Sequence, residues 1–273
     1  MIICIDPWSQ YWIKLKDDIF PKRCHLFTQP WKHLLLFFTS LIILVSCSKT
    51  DGLSTTYYPN GNKKEEGNTK YGKRDGKWIW WFRNGQKRGE ATYKYGKKDG
   101  LMIWWYKNGQ KEREGKFNND KPDRTWTFWY EDGQKKTEKN YRNGKVEGKY
   151  VHWYEDGQKE QEGIFKNDQR NGFWIFWYEN GEKKREENYK DGKNDGQWSW
   201  FYPNGIKSLE GSYKDGTYDG LWTGRYENGQ REFEQYYKDG KKVGKWIHWN
   251  QEGEAVKEDF YKNNRKIETT HPK

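Results

Sequence analysis

The chain has 273 residues, a formal net charge of +11, 19% aromatic and 33% charged residues, and 29 glycines. A mean hydropathy of -1.37 would fit a disordered chain, but the aromatics recur at fixed positions and each can bury a large area, which excludes disorder. The glycines also sit at fixed turn positions, which excludes a collagen or low-complexity pattern and leaves many small hairpins with a charged surface.

Residues 1–46 read as a signal and anchor segment. Leu34 to Val45 is an apolar run preceded by Lys32 and His33. It is too short to span a bilayer, which takes about 20 residues, and it suits the apolar core of a secretory signal. The 33 residues ahead of it exceed a usual leading region; a displaced start or a cytoplasmic extension would each account for them. The run ends in Leu44-Val45-Ser46-Cys47, which resembles a bacterial lipobox. That resemblance implies cleavage before Cys47, lipidation of its thiol, and a membrane partner through acyl chains. Cys4 and Cys24 would leave with the signal, so the mature chain would carry no free thiol and no disulfide. The expected location is the bacterial cell envelope, facing the periplasm or the surface. Residues 47–56 read as a short polar tether.

From 57 to 267 the chain is an array of about nine 24-residue units. Their turn glycines are Gly61, Gly85, Gly109, Gly133, Gly157, Gly181, Gly205, Gly229 and Gly253. Asn-Gly or Asp-Gly between two strand-like runs signals a hairpin with a two-residue type I′ turn. A second punctuation follows eleven residues later, at Gly72, Gly96, Gly144, Gly192, Gly216 and Gly240, with Asp120, Asp168 and Asn264 as substitutes. Two turns per unit make two short strands. The fold class is therefore all-β: an elongated antiparallel meander of hairpin repeats, as a single sheet or an open solenoid.

A two-residue turn at Asn84-Gly85 places Phe82 opposite Lys87, Trp80 opposite Gly89 and Trp78 opposite Ala91. Alternation puts these on one face with Tyr93. The other face receives Ile79, Trp81, Arg88, Glu90 and Thr92. The small residues Gly67, Ala91, Gly115, Gly163 and Gly211 suggest a tryptophan laid over a glycine or alanine. That predicts a core of Trp78, Trp126, Trp174, Trp198, Trp222 and Trp246, with Met102 and Tyr150 in the same role. The tail, 268–273, is polar and expected to fray.

Glu recurs five residues after each turn glycine, including Glu90, Glu114, Glu138, Glu162, Glu186, Glu210 and Glu234. Catalysis needs a carboxylate once or twice, so the recurrence points to structure: acceptance from backbone N–H groups, or pairing with Lys of the next unit. Trp81, Trp105, Trp129, Trp153, Trp177, Phe201 and Trp249 form a second aromatic row, interrupted by Arg225. If only one face is buried, this row is a partly open strip suited to proteins, peptides or glycans. His152 and His248 occupy a slot filled by Trp or Phe elsewhere. No metalloprotease, nucleophile-elbow or phosphate-loop motif occurs, the Asp-Gly turns lack the spacing of a calcium loop, and nothing calls for a cofactor. The expectation is no enzyme. Lys and Glu interleave in every unit and no RNA-binding signature occurs, so no nucleic-acid partner is expected.

The unit resembles the MORN-repeat variant found in bacterial proteins grouped as YwqK-family antitoxins. The carrying motif is Tyr-x-Asn-Gly-x-Lys-x-x-Glu followed by Tyr-x-x-Gly. It is seen from Tyr106 through Asn108, Gly109 and Lys111 to Glu114. It is seen again from Tyr202 through Asn204, Gly205 and Lys207 to Glu210, continued by Tyr213 to Trp222. The resemblance implies an extended hairpin array acting as a binding scaffold for a protein partner. Two further roles stand beside it: a glycan- or cell-wall-binding module using the aromatic row, and an antitoxin neutralising a toxin partner.

Overall fold

The computed structural model describes residues 51–272; the expected segment 1–46, Cys47 and the start of the tether lie outside the described residues. From Gly52 to Thr270 the described chain is all β. Its 21 strands form one open antiparallel sheet with edges Gly52–Tyr57 and Arg265–Thr270.

Two turn types alternate along it, and their assignment differs from the sequence expectation. At the Asn-Gly turns the Phe82 N–H donates to the Gln86 carbonyl at 2.8 Å, and the Gly85 N–H to the Phe82 carbonyl at 3.0 Å. Gly85 has φ 88°, while Asn84 stays out of the left-handed region. This is a type I turn followed by a left-handed glycine, not type I′. The side chain decides it: Asn84 Oδ1 accepts the Gln86 N–H at 3.1 Å, an Asx bond that holds Asn84 right-handed. Phe82 consequently faces Gln86, not Lys87. Type I′ forms at the second punctuation, where Tyr95 and Gly96 have φ 52° and 86° between the paired Lys94 and Lys97.

The three-residue loop would shift the register by one, and a bulge restores it. Trp81 pairs with Lys87, Arg88 is skipped, and Trp80 pairs with Gly89 and Trp78 with Ala91 as expected. The bulge exchanges two side chains between faces. Lys87 joins Trp81 and Glu90, whereas Arg88 crosses to lie 5.4 Å from the Trp104 ring.

A second irregularity breaks each outgoing strand before its core tryptophan. Toward the preceding strand Gly76 and Lys77 have no partner between the pairs Gly67–Trp78 and Asn68–Asp75, although they pair with Tyr93 and Thr92 of the following strand, and Gly76 has φ 73°. Arg124 occupies the same place in another repeat with φ 61°. A left-handed non-glycine residue costs about 1–2 kcal/mol. Arg124→Gly should therefore raise the unfolding free energy by about 1 kcal/mol, read as a higher urea midpoint; a lowered midpoint would remove strain as the explanation.

This geometry builds the core. Trp78, Trp126, Trp174, Trp198, Trp222 and Trp246 are buried, with Met102; Tyr150 is only half-buried. The ring of Trp78 rests on Gly67 of the preceding strand, not on Ala91. A Cβ at Gly67 would stand 2.3 Å from that ring, and one at Gly163 would stand 2.2 Å from Trp174. Each indole N–H then reaches the carbonyl one residue beyond its seat, as in Trp78 to Asn68 at 2.9 Å and Trp126 to Lys116 at 3.0 Å. A tyrosine or phenylalanine column interleaves: Phe117 and Tyr141 flank Trp126 at 5.0 and 6.2 Å, and Tyr237 and Tyr261 flank Trp246 at 5.1 and 4.8 Å. One repeat reverses the scheme. Gly224 stands where others carry an aromatic, and the Phe233 ring fills the space, 2.2 Å from a Cβ built at Gly224.

Both ends of the array extend beyond their expected limits. Gly52–Tyr57, expected within the tether, is an edge strand paired with Lys63–Lys70. The last strand runs to Thr270, into the stretch expected to fray. Its anchor is Asp259, 3% exposed, which accepts from Thr269 Oγ1 at 2.6 Å and meets Lys257 Nζ at 2.9 Å. The Thr269 bond and the nearby lysines hold its pKa down at about 2.

Candidate functional site

The face opposite the core carries the second aromatic row. Trp81, Trp105, Trp129, Trp153, Trp177, Phe201 and Trp249 are all half-buried, neither open nor enclosed. A cation from the preceding repeat covers most of the rings. Lys63 lies 5.6 Å from the Trp81 centroid, Lys87 5.1 Å from Trp105, Lys111 5.5 Å from Trp129, Lys135 5.7 Å from Trp153 and Lys159 5.7 Å from Trp177. Arg231 takes that place over Trp249 at 5.9 Å, while Phe201 is approached by Lys207 of its own hairpin at 5.9 Å. These distances are within cation–π range.

The recurrent glutamates complete the pattern. Glu114 meets Lys111 at 2.6 Å, Glu138 meets Lys135 at 2.9 Å, and Glu162 meets Lys159 at 2.9 Å. Glu186 meets Lys183 at 2.6 Å, Glu210 meets Lys207 at 2.7 Å, and Glu234 meets Arg231 at 3.1 Å. Each partner is three residues earlier on the same strand, not in the next unit. Positions three apart on a regular strand point to opposite faces; the bulge between them brings them together. Glu90 takes both Lys87 and Lys77 at 2.9 Å. Burial works to raise its pKa, but the hydrogen bonds from the two lysines outweigh this and lower it.

The turn glycines Gly85, Gly109, Gly133, Gly157, Gly181, Gly205 and Gly229 all have φ between 83° and 93°. Beside them the tyrosines tie one repeat to the next. Tyr106 donates its hydroxyl to the Trp129 carbonyl at 2.8 Å, Tyr130 to Trp153 at 2.7 Å, and Tyr154 to Trp177 at 2.7 Å. Burial and adjacent carboxylates raise the pKa of all three. Asparagine at the turn adds a second tie, as in Asn60 Nδ2 to the Arg83 carbonyl at 2.8 Å; Asp132 and Asp156 have no such donor.

His152 and His248 stand apart, in different repeats. His152 lies 2.7 Å from Thr137 Oγ1 and 3.2 Å from Glu160, and burial pushes its pKa down. Among the described residues no group of His, Cys, Asp or Glu is arranged to hold a metal.

Sequence reasoning missed two features. One is a shallow recess on the same face as the Trp81 row, where Ile164 and Phe173 are 50% and 47% exposed beside Ile175, with Lys149 and Glu162 at the rim. Their recurrence slots hold polar residues in most units, so periodicity carried no signal for them. The other is a buried ionic cluster about Glu187, which is 2% exposed. It occupies a slot held by glycine or alanine in several other units, where one exception reads as drift.

Two solved structures match this chain at low similarity. "Crystal Structure of TcdB2-TccC3-TEV" is 11% identical over 76% of this chain, with a TM-score of 0.17, and "Crystal Structure of TcdB2-TccC3-Cdc42" is 10% identical over 77%, with a TM-score of 0.16. This chain covers 14% and 18% of theirs. Among curated proteins nothing matches. The MORN repeat variant model matches eight times, at residues 50–71, 74–95, 98–119, 125–143, 146–167, 170–191, 194–215 and 218–239. Each match takes in one type I turn with its bulge and ends one residue short of a type I′ turn glycine or its substitute. With these repeats spanning more than half of its length, the chain belongs to the MORN repeat variant family.

Proposed function

We propose that this chain is a non-enzymatic scaffold that holds a protein partner at the cell envelope. The observation that carries the reading is the recess at Ile164, Phe173 and Ile175 with Lys149 and Glu162 beside it. An apolar centre with a charged rim is how protein contacts are built, with energy concentrated in a few central side chains. The rigid repeat frame favours this, because each unit is tied to its neighbours and the contact face is pre-organised. A sugar stacking on the Trp81 row would have to displace a lysine from a ring and weaken its pair with glutamate at each step, so a glycan partner fits this face less well. Anchoring through Cys47 rests on the apolar run and the lipobox resemblance.

The test is affinity capture of the full chain from its own envelope, after crosslinking, with two variants beside it. Ile164→Asp with Phe173→Asp should retain the β spectrum and lose the captured protein. Cys47→Ala should move the chain to the soluble fraction without a lipid label. An unchanged capture from the first variant would sink the recess as the contact. Membrane retention of the second would sink the anchor.

A further inference from the structure

Lys and Glu interleave along the sequence, yet the fold separates them. The six-residue windows at the nine type I′ turns, from 70–75 to 262–267, hold 20 Lys and Arg against 11 Asp and Glu. The rest of residues 51–272 holds 24 against 26. One long edge of the sheet therefore carries the basic excess of the array.

The cations on that edge are arranged unlike those on the other. At six of the nine type I′ turns two cations face each other directly, as in Lys70–Lys73, Lys94–Lys97 and Lys262–Arg265. Like charges directly opposite are destabilising. All twelve are exposed. Among the described residues only Lys238 of the twelve stands within ion-pair distance of a carboxylate, Asp219 at 3.1 Å. Toward the opposite edge the Lys of each Lys-x-x-Glu has its own carboxylate. Six of the eleven acids near the type I′ turns accept a backbone N–H, as Asp75 does from Tyr95 at 3.3 Å and Glu147 from Asn167 at 2.8 Å. Those six shape the turns, and eleven of the twelve facing cations stay outside ion-pair distance of any described carboxylate.

We propose that this edge binds a flexible linear polymer that carries a phosphate at each unit. The type I′ turns recur once per hairpin, a step of about 10 Å for two strands; six of the nine carry a facing cation pair, the other three carry one lysine each at those positions, and two lysines can straddle one phosphate. The polymer must be flexible. Strands rotate by at least about 10° from one to the next, so eight hairpin steps turn the edge through about 160° or more. The first and last cation pairs then cannot rest on one plane, which disfavours a membrane surface. At the leading turn position only Tyr71 and Tyr95 are aromatic and the other seven turns present Asn or Asp; Tyr218, two residues past one turn glycine, is already stacked between Tyr213 and Tyr237, so stacking of nucleobases is not provided along the strip. The site is separate from the recess and stands or falls without it.

The test is titration of the full chain with long-chain inorganic polyphosphate. Affinity should fall linearly on a logarithmic salt axis, by about tenfold or more between 50 and 200 mM, as bound cations are displaced. Replacing Lys70, Lys73, Lys94 and Lys97 with Gln should weaken binding about tenfold and flatten the salt slope. That variant should be at least as stable as the parent, since two repulsive pairs are removed. Lys111→Gln with Lys135→Gln, which alters paired lysines, should leave affinity within about twofold. Equal loss from both variants would overturn the proposal, as would binding to phosphatidylglycerol vesicles without binding to polyphosphate. Tighter binding of a single-stranded oligonucleotide than of polyphosphate at equal charge would also overturn it, in favour of base recognition.

Discussion

Replacing Trp174 with alanine is expected to lower the unfolding free energy by about 3–5 kcal/mol. The side chain is wholly buried at 0% exposure. Its ring seats on Gly163, its N–H donates to the Ile164 carbonyl at 3.1 Å, and Arg170 lies 4.6 Å from its centroid. Phe165 meets it edge-on at 5.0 Å and Phe176 stacks at 6.1 Å. Collapse cannot refill such a hole, because the seat is backbone and the neighbours are pinned to their own strands. The ring also belongs to two repeats at once. In an array whose units touch only their neighbours, an interior joint controls cooperativity. Trp174→Ala should therefore split one unfolding transition into two by circular dichroism. Gly163→Ala tests the same joint from the other side. Its Cβ would lie 2.2 Å from the ring, and the overlap should cost about 1–3 kcal/mol. In the double variant the clash disappears with the ring, so the two losses should fall short of their sum by about 1 kcal/mol or more. Strict additivity would mean the ring does not rest on Gly163. Trp177→Ala, on the half-buried row, should cost less than half as much as Trp174→Ala, because only the latter empties a closed space.

The contrast between Trp174 and Trp177 was legible in the sequence; the way their neighbours divide was not. A period without slip, alternation on both sides of the turn, and small residues opposite the first tryptophan suffice to assign the two faces, since any one-residue slip would invert them. The turn type is a different matter. Asn-Gly serves either a type I′ loop or a type I turn with a left-handed glycine, and the choice rests on where the Asn84 carboxamide points. The bulge at Arg88 follows from that choice. A trace of it was present: Lys and Glu recur three apart, a spacing that shares a strand face only when a residue between them is extruded. Reading that trace would have placed Lys87 over Trp105 and assigned Glu90 its partner. The seat of Trp78 on Gly67 was less accessible. Both Gly67 and Ala91 are small, and what decides is the Asn68 carbonyl one residue further on, which the indole N–H can reach. Charge segregation was hidden for a related reason: a chain that reverses at every turn delivers alternate sequence blocks to opposite edges.

Glu187→Ala is expected to cost about 2–3 kcal/mol, through uncompensated charge where Trp174→Ala acts through lost volume; water at the two arginines keeps the loss below that of a fully buried pair. The carboxylate accepts the Tyr189 hydroxyl at 2.6 Å and lies 3.1 Å from Arg185 Nε and 3.8 Å from Arg170 Nη1. Both guanidinium groups are held on aromatic faces, Arg185 4.0 Å from Phe176 and Arg170 4.6 Å from Trp174. Each arginine side chain is about a third exposed, 33% for Arg170 and 35% for Arg185, so deleting the acid leaves two partly buried cations without their shared carboxylate. The neighbouring unit shows the apolar solution, with Leu209 and Gly211 in the matching places. Arg185→Leu combined with Glu187→Gly should thus recover most of the loss and offer Trp198 a glycine seat like that of Trp222. Failure of this pair to recover would mean the cluster does more than fill its slot. Alkali gives a second reading of the same cluster. Burial first, and then the bond to Glu187, raise the Tyr189 pKa to about 12, above its value of about 10 in an unfolded chain. The folded state holds that proton longer, so its stabilisation is complete below pH 10 and is lost as pH rises through about 12. Tyr189→Phe should flatten the decline of stability between about pH 10 and 12. If parent and variant decline with the same slope, the hydroxyl is not held by Glu187, and the buried carboxylate must be stabilised by the two arginines alone.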